Sequence, residues 1–252
     1  MVLTTQSGQT SILGIRLNNL TKEEALGQIR KLLDRPQPGL VCFLNAHYAN
    51  QACANPAYRR ALAQADLVLA DGSGLALAGL ILKNPVRENL NGTDLIPWLF
   101  KELPSQRVKV YLLGARPGVA EKAARCLRGI HPKIEIAGWH HGYFPEDQTQ
   151  EILARIALHK VDVLLAAMGA PKQELWLAEH LPETGAGLGL AVGGLFDFLA
   201  GEVPRAPLAW RGLGIEWLWR LFQEPGRLWR RYLLGNFLFL HRVWRQSRER
   251  FP

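Results

Sequence analysis

Cysteine, long apolar runs and closely spaced acids are what this chain has little of. Its 252 residues include three cysteines, Cys42, Cys53 and Cys126. Their spacing suits neither a zinc site nor a disulfide framework, and a reducing cytoplasmic setting is the expectation. No apolar run approaches the roughly 20 residues needed to span a bilayer. The start, MVLTTQSGQTSILGI, lacks a basic stretch leading into an apolar one, so a signal peptide is not expected. No Asp-x-Asp pair is present to hold a nucleotide-bound cation, and the histidines are scattered. His140 and His141 adjoin, but neighbouring strand side chains face opposite ways, so no metal site is expected.

Lysine is also missing where positive charge is densest. The chain carries a formal charge of +8, and from Gly201 to Pro252 there are ten Arg, four Glu and no Lys. The same stretch holds Trp210, Trp217, Trp219, Trp229 and Trp244, five of the eight tryptophans. Arg mixed with Trp suits a phosphate-rich, half-apolar surface.

What is present before that stretch is alternation. Strand-like and helix-like segments follow one another through about the first 200 residues, which predicts an α/β fold with a mainly parallel, Rossmann-like sheet flanked by helices. TKEEALGQIRKLLDR opens with a capping box, Thr21 and Glu24. LVCFLNAH reads as a strand running into polar residues, and NPAYRRALAQA as a helix. GTDLIPWLFKEL reads as a helix capped by Thr93. After GEVPRAP the alternation stops, which divides the chain into an α/β domain, 1–204, and an Arg/Trp-rich helical appendage, 205–252. Within the appendage Trp229, Leu233, Phe237, Leu240 and Trp244 recur at helical spacing, with Arg227, Arg231, Arg242 and Arg245 nearer the other side. Such a helix can lie in a membrane interface without crossing it, and the alternative is that the segment packs permanently on the core or forms an oligomer interface.

Polar clusters leave the ends of three predicted strands: Asn45 with His47, then Asp71, then Met168 through Gly169 and Lys172 to Gln173 and Glu174. In open α/β sheets these ends converge on a ligand crevice. LVLADGSG is the most pointed case, a strand buried on both faces that ends in a carboxylate beside two glycines able to bring backbone close to a ligand. Asp71 reads equally as the cap of the next helix. Asn45 reads as a turn cap, Lys172 as an exposed charge at a helix start, and Gln173 as a surface residue. GAPKQE lacks the phosphate-loop spacing, and GARPG lacks the third glycine of a dinucleotide fingerprint.

FLNAHYAN, ADLVLADGSG, NGTDLIP, MGAPKQELW, VGGLFDFLAG and RAPLAWRGLGIEWLWRLFQEPGRLWRRY, in this order, resemble the WecG/TagA/CpsF family of bacterial glycosyltransferases, glycosyltransferase family 26. The resemblance runs from about Ile12 to Tyr232. It implies inverting, metal-independent transfer of a sugar from a UDP-sugar to a polyprenyl-diphosphate-linked saccharide, in the making of cell-surface polymers at the inner face of the bacterial membrane. No cofactor is implied, since the UDP-sugar is a substrate.

The resemblance also assigns roles. Asp71 stands where the family's catalytic base is proposed. Asn45, Gly72, Thr93, Asp94, Gly169, Lys172 and Gln173 fall in the expected sugar-nucleotide pocket, and Arg220, Arg227, Arg230 and Arg231 match arginines thought to reach the diphosphate. This chain departs from the family at Phe43, where many members have Thr, and at Asn89, where many have Arg. Arg87 is placed to stand in for the latter. FLNAH with NxNGTD looks more like members of exopolysaccharide pathways, some of which use glucose, so the donor is expected to be of the UDP-glucose or UDP-N-acetylmannosamine type. Two other readings stand beside the enzyme. A membrane-associated nucleotide-sugar-binding scaffold would tolerate loss of Asp71, and a nucleic-acid binder is disfavoured by the amphipathic tail.

Overall fold

The structure is a computed structural model that describes residues 9–103, 108–207, 209–210 and 214–250, without the side chains of residues 227 and 250. Six strands form one parallel sheet: β3 (Gly39–Leu44), β4 (Leu67–Ala70), β5 (Val108–Gly114), β6 (Ile134–His140), β7 (Val163–Ala167) and β8 (Leu188–Ala191), in the spatial order β4-β3-β8-β7-β5-β6. Every residue of β3, β4, β7 and β8 is buried, as a strand covered on both faces requires. Successive side chains of β3 divide between the two faces: Leu40, Cys42 and Leu44 join one apolar cluster, Val41 and Phe43 the other.

The connecting helices are α1 (Lys22–Leu33), α2 (Ala46–Ala54), α3 (Pro56–Gln64), α4 (Ser73–Ile81), α5 (Gly92–Glu102), α6 (Val119–Ile130), α7 (Thr149–Leu158), α8 (Lys172–His180) and α9 (Leu195–Leu199). The expected capping box of α1 forms, with Thr21 Oγ1 accepting from the Glu24 N–H and Glu24 accepting from the Thr21 N–H at 2.9 Å. The cap of α5 corrects the sequence reading. Asn91, not Thr93, holds that place, because the helix begins one residue before Thr93 and Asn91 Oδ1 accepts the Asp94 N–H at 2.9 Å.

The N-terminal strands β1 (Gln9–Ile12) and β2 (Ile15–Asn18) form an antiparallel hairpin that the sequence reading did not foresee. Leu13 and Gly14 turn between them with φ of +53° and +73°. That conformation suits a two-residue hairpin, but Leu-Gly is not a strong turn signal.

After the sheet come α10 (Glu216–Gln223), α11 (Pro225–Trp229), a π-helical turn over Arg230–Leu234, and α12 (Gly235–Arg250). Among the described residues no helix is long and apolar enough to cross a membrane. The last helix does not stand apart from the α/β core. It packs on α2 and α4, and Phe239 and Val243 are fully buried in the same apolar cluster as Leu44, Leu75 and Ala78. Gln246 seals the contact, accepting the Leu13 N–H at 2.8 Å and donating to the Ser11 carbonyl at 3.1 Å. The inward stripe is therefore Leu228, Phe239 and Val243, offset from the expected Trp229, Phe237 and Trp244, which are exposed. Four consecutive apolar residues, Phe237 to Leu240, leave periodicity no means of choosing a face.

Candidate functional site

A cavity of about 990 Å³ lies at the carboxyl ends of β3, β4, β5, β7 and β8, roofed by α10 and the π-helical turn. This is the crevice that a parallel sheet leaves where its connections diverge. Asp71 leaves β4 and Asn45 leaves β3, and the parallel register that pairs Leu44 with Ala70 sets them side by side. Asn45 Nδ2 donates to Asp71 Oδ2 at 3.2 Å, and Asn45 Oδ1 accepts the Tyr48 N–H at 3.0 Å as the cap of α2. Asn45 therefore fills the structural role and the site role together.

Asp71 is not a helix cap. Gly72 occupies that place for α4, with φ of +89° and no side-chain cap bond. A residue with a Cβ would be strained there, so the glycine lets the chain turn sharply and leaves the carboxylate facing the cavity. Burial pushes the Asp71 carboxyl up from its ordinary range. The Asn45 hydrogen bond and the nearby Arg231 and Arg220 pull it back, while Glu216 opposes them. The outcome is a carboxylate more basic than one in water. His47, also on the cavity wall, is held down to about 4 by burial and by Arg231, so its imidazole is neutral at physiological pH.

The expected residues divide. Asn45, Asp71, Gly72, Asn89, Thr93, Asp94, Gly169, Lys172, Arg220 and Arg231 all line the cavity. Asn89 Oδ1 accepts the Gly72 N–H at 2.7 Å, so where many relatives are expected to carry Arg this chain has a clip on the Asp71 turn. Lys172 starts α8, but its ammonium donates to the Gly142 carbonyl at 2.9 Å and lies 5.0 Å from the Phe144 ring.

Three of the expected residues with described side chains are not brought to the wall. Arg87 points away, pairing with Glu24 at 2.5 Å, so it does not stand in for the missing Arg. Its position before α5 is set by the neighbouring Asn19, which accepts the Arg87 N–H at 2.8 Å. Gln173 is neither on the surface nor on the cavity wall but fully buried behind it. Arg230 is exposed and lies 5.3 Å from the Trp229 ring. Arg227 belongs to α11, and its side chain lies outside the described residues. His140 and His141 also differ from expectation. Their ring centroids lie 4.4 Å apart, because His141 is already beyond the end of β6 and strand alternation no longer applies.

Arg205 is a residue that sequence reasoning missed. Its guanidinium pairs with Asp94 at 2.7 Å and approaches Glu216 at 3.7 Å, tying the first turn of α5 to the first turn of α10 across the cavity mouth. Its place directly after the GEVP boundary was the available signal. Arg220 and Arg205 both pack on the Phe198 ring, at 5.3 and 5.6 Å, and Arg231 lies 5.5 Å from the rings of both Tyr48 and Tyr232. Planar cations against aromatic faces lose little side-chain freedom when an anion arrives.

The site thus offers a raised carboxylate, a neutral imidazole and two fixed guanidinium groups around one crevice. Curated relatives from Staphylococcus aureus strains MW2 and NCTC 8325, both named N-acetylglucosaminyldiphosphoundecaprenol N-acetyl-beta-D-mannosaminyltransferase, are each 31% identical over 246 residues, covering 96% of this chain and 95% of theirs. Residues 10–251 match the Glycosyl transferase WecG/TagA/CpsF family, to which this glycosyltransferase chain belongs.

Proposed function

We propose that the protein transfers a sugar from a UDP-sugar to a polyprenyl-diphosphate-linked saccharide, with inversion and without a metal ion, in the synthesis of a cell-envelope polymer. The observation that carries this reading is the placement of Asp71, with its Asn45 partner, in one cavity with Arg220 and Arg231. Asp71 takes the proton from the acceptor hydroxyl as that oxygen attacks the anomeric carbon. The bond from that carbon to the UDP oxygen breaks on the opposite face, and its electron pair leaves with the diphosphate. Arg220 and Arg231 supply the positive charge that the departing diphosphate needs. The named relatives act on an N-acetylglucosaminyl-diphosphoundecaprenol acceptor and transfer N-acetylmannosamine, which supports a donor of that type here, while the UDP-glucose alternative rests only on the likeness of FLNAH and NxNGTD to exopolysaccharide members.

The acceptor lipid also accounts for the exposed side of the tail. Phe222, Trp229, Leu233, Leu234, Phe237, Leu238 and Trp244 all face outward, and the tail arginines add electrostatic attraction to an anionic leaflet. In this reading the protein sits peripherally on the inner face of the membrane, with α10 and the π-helical turn between the lipid and Asp71.

The test is turnover by purified protein on a panel of UDP-sugars with a lipid-diphosphate-sugar acceptor, with and without EDTA. Product with an inverted anomeric centre from at least one UDP-sugar, undiminished by EDTA, is the expected result. Loss with EDTA that magnesium or manganese restores overturns the metal-free reading. UDP-sugar binding without transfer to any acceptor favours the scaffold.

A further inference from the structure

Behind the cavity floor lie two adjacent polar side chains with no solvent exposure, Gln173 and Glu174, in the first turn of α8. Gln173 Oε1 accepts two backbone N–H groups at 3.1 Å each, one from Gly169 after β7 and one from Gly193 after β8. Both glycines line the cavity. One amide oxygen therefore clips two separate loops together, and through them fixes part of the floor. This works in one orientation only, since a flipped amide would turn its NH2 toward the same two donors.

Glu174 fixes that orientation. Its Oε1 accepts the Gln173 Nε2–H at 2.9 Å, which gives the amide donor a partner on the side away from the loops. The other carboxylate oxygen, Oε2, is buried without a hydrogen-bond partner, and the buried Tyr58 hydroxyl is likewise unpaired. Tyr58 from α3, Tyr48 from α2 and Cys42 from β3 feel the charge of Glu174, and none of the three is cationic. A carboxyl is costly to keep in such surroundings, and the amide it orients is the function its geometry explains.

We propose that Glu174 is a positioning residue for the donor subsite, acting through the Gln173 amide to hold the Gly169 and Gly193 loops at the spacing that receives the UDP portion of the donor. The proposal rests on the reading of the cavity as a UDP-sugar site.

Calorimetric titration with UDP, together with donor KM and kcat, tests it on five proteins: wild type, Glu174→Met, Glu174→Gln, Gln173→Glu and the exchange Gln173→Glu/Glu174→Gln. Glu174→Met keeps the volume and removes the acceptor, and the expected result is a UDP Kd and a donor KM raised on the order of 10-fold, with kcat at saturating donor changed much less. Glu174→Gln keeps an acceptor oxygen and should stay within about two-fold of wild type. The exchange variant restores a complementary pair with the carboxylate on the loop side, and it should bind UDP more tightly than Gln173→Glu alone. That comparison stands even if Glu174→Met does not fold. Wild-type UDP affinity in Glu174→Met, or equal loss in Glu174→Met and Glu174→Gln, or no recovery in the exchange, overturns the positioning role. No UDP binding by wild type overturns instead the reading of the cavity itself.

Discussion

The α/β core buries most of its apolar side chains, whereas the tail buries a few and leaves many in solvent. Phe100 and Phe196 are at most 1% exposed, and in α12 Phe239 is fully buried while Phe237, two residues away, is 75% exposed. The core comes nearest the ordinary rule where β3, β4, β7 and β8 are covered on both faces. The tail helix is apolar around more of its circumference than α2 and α4 can cover, so a second apolar face remains in solvent, a pattern that marks an interaction surface. The two regions also divide the chemistry. The core supplies Asp71, its Asn45 partner and the loop amides, while the tail supplies Arg220 and Arg231. A site assembled in this way is complete only when both are in place.

Replacing Asp71 by Asn tests the core's share and should have the largest effect, a loss of transfer of about 10²- to 10⁴-fold. Calorimetry should find UDP-sugar affinity little changed, because a base acts on the acceptor hydroxyl in the transition state. Comparable turnover by Asp71→Asn would remove Asp71 from the mechanism.

Phe239→Ala sharpens the contrast from within the tail. Truncating a fully buried phenylalanine should lower stability by about 3–5 kcal/mol, read from urea unfolding. Phe237→Ala, at the exposed position, should stay within about 0.5 kcal/mol of wild type in the same measurement. Equal losses would mean that both faces of α12 are covered in solution.

Arg231→Ala tests the tail's share of the chemistry. Loss of one preorganised donor to the leaving group should lower kcat by about 10²- to 10³-fold. It also removes a charge that holds the Asp71 carboxyl down. The direction follows: transfer needs Asp71 ionised, so the acid limb of the pH–rate profile should move to higher pH in the variant. A limb left in place would separate Arg231 from Asp71.

The smallest effect is expected from Phe237→Asp combined with Leu233→Asp. Each exposed side chain contributes roughly 1.5–3 kcal/mol if it inserts, so flotation with anionic vesicles should fall by about 10-fold or more while turnover on a short, water-soluble acceptor stays level. Unchanged flotation would move the membrane contact away from this face.

Part of this architecture was legible in the residues. LVLA reads as a strand buried on both faces and LVCFL as a strand running into polar residues, both of which form, and the polar residues that follow them, Asn45 and Asp71, meet at one sheet edge as the order of elements implied. Other features were legible only in outline. Asn91 stood beside Thr93 as an equally good cap, and the Leu13–Gly14 turn carried too little turn chemistry to announce a hairpin. Lys172 begins a helix as expected, yet its ammonium is spent on the Gly142 carbonyl.

By itself the sequence determined the parallel α/β sheet, the family and a carboxylate, Asp71, at a strand end, because strand burial and strand-end polarity are written in residues close together in the chain. Only the tertiary structure decided which way equivalent side chains face. It turned Gln173 inward to clip two loops, sent Arg87 outward to Glu24, gave Asn89 the Gly72 N–H and chose Phe239 over Phe237 for the core. The reason is physical. Local periodicity sets the repeat of an element, but the partner that fills a donor, pairs a charge or covers an apolar face comes from a segment far away in the chain, and only packing brings it there.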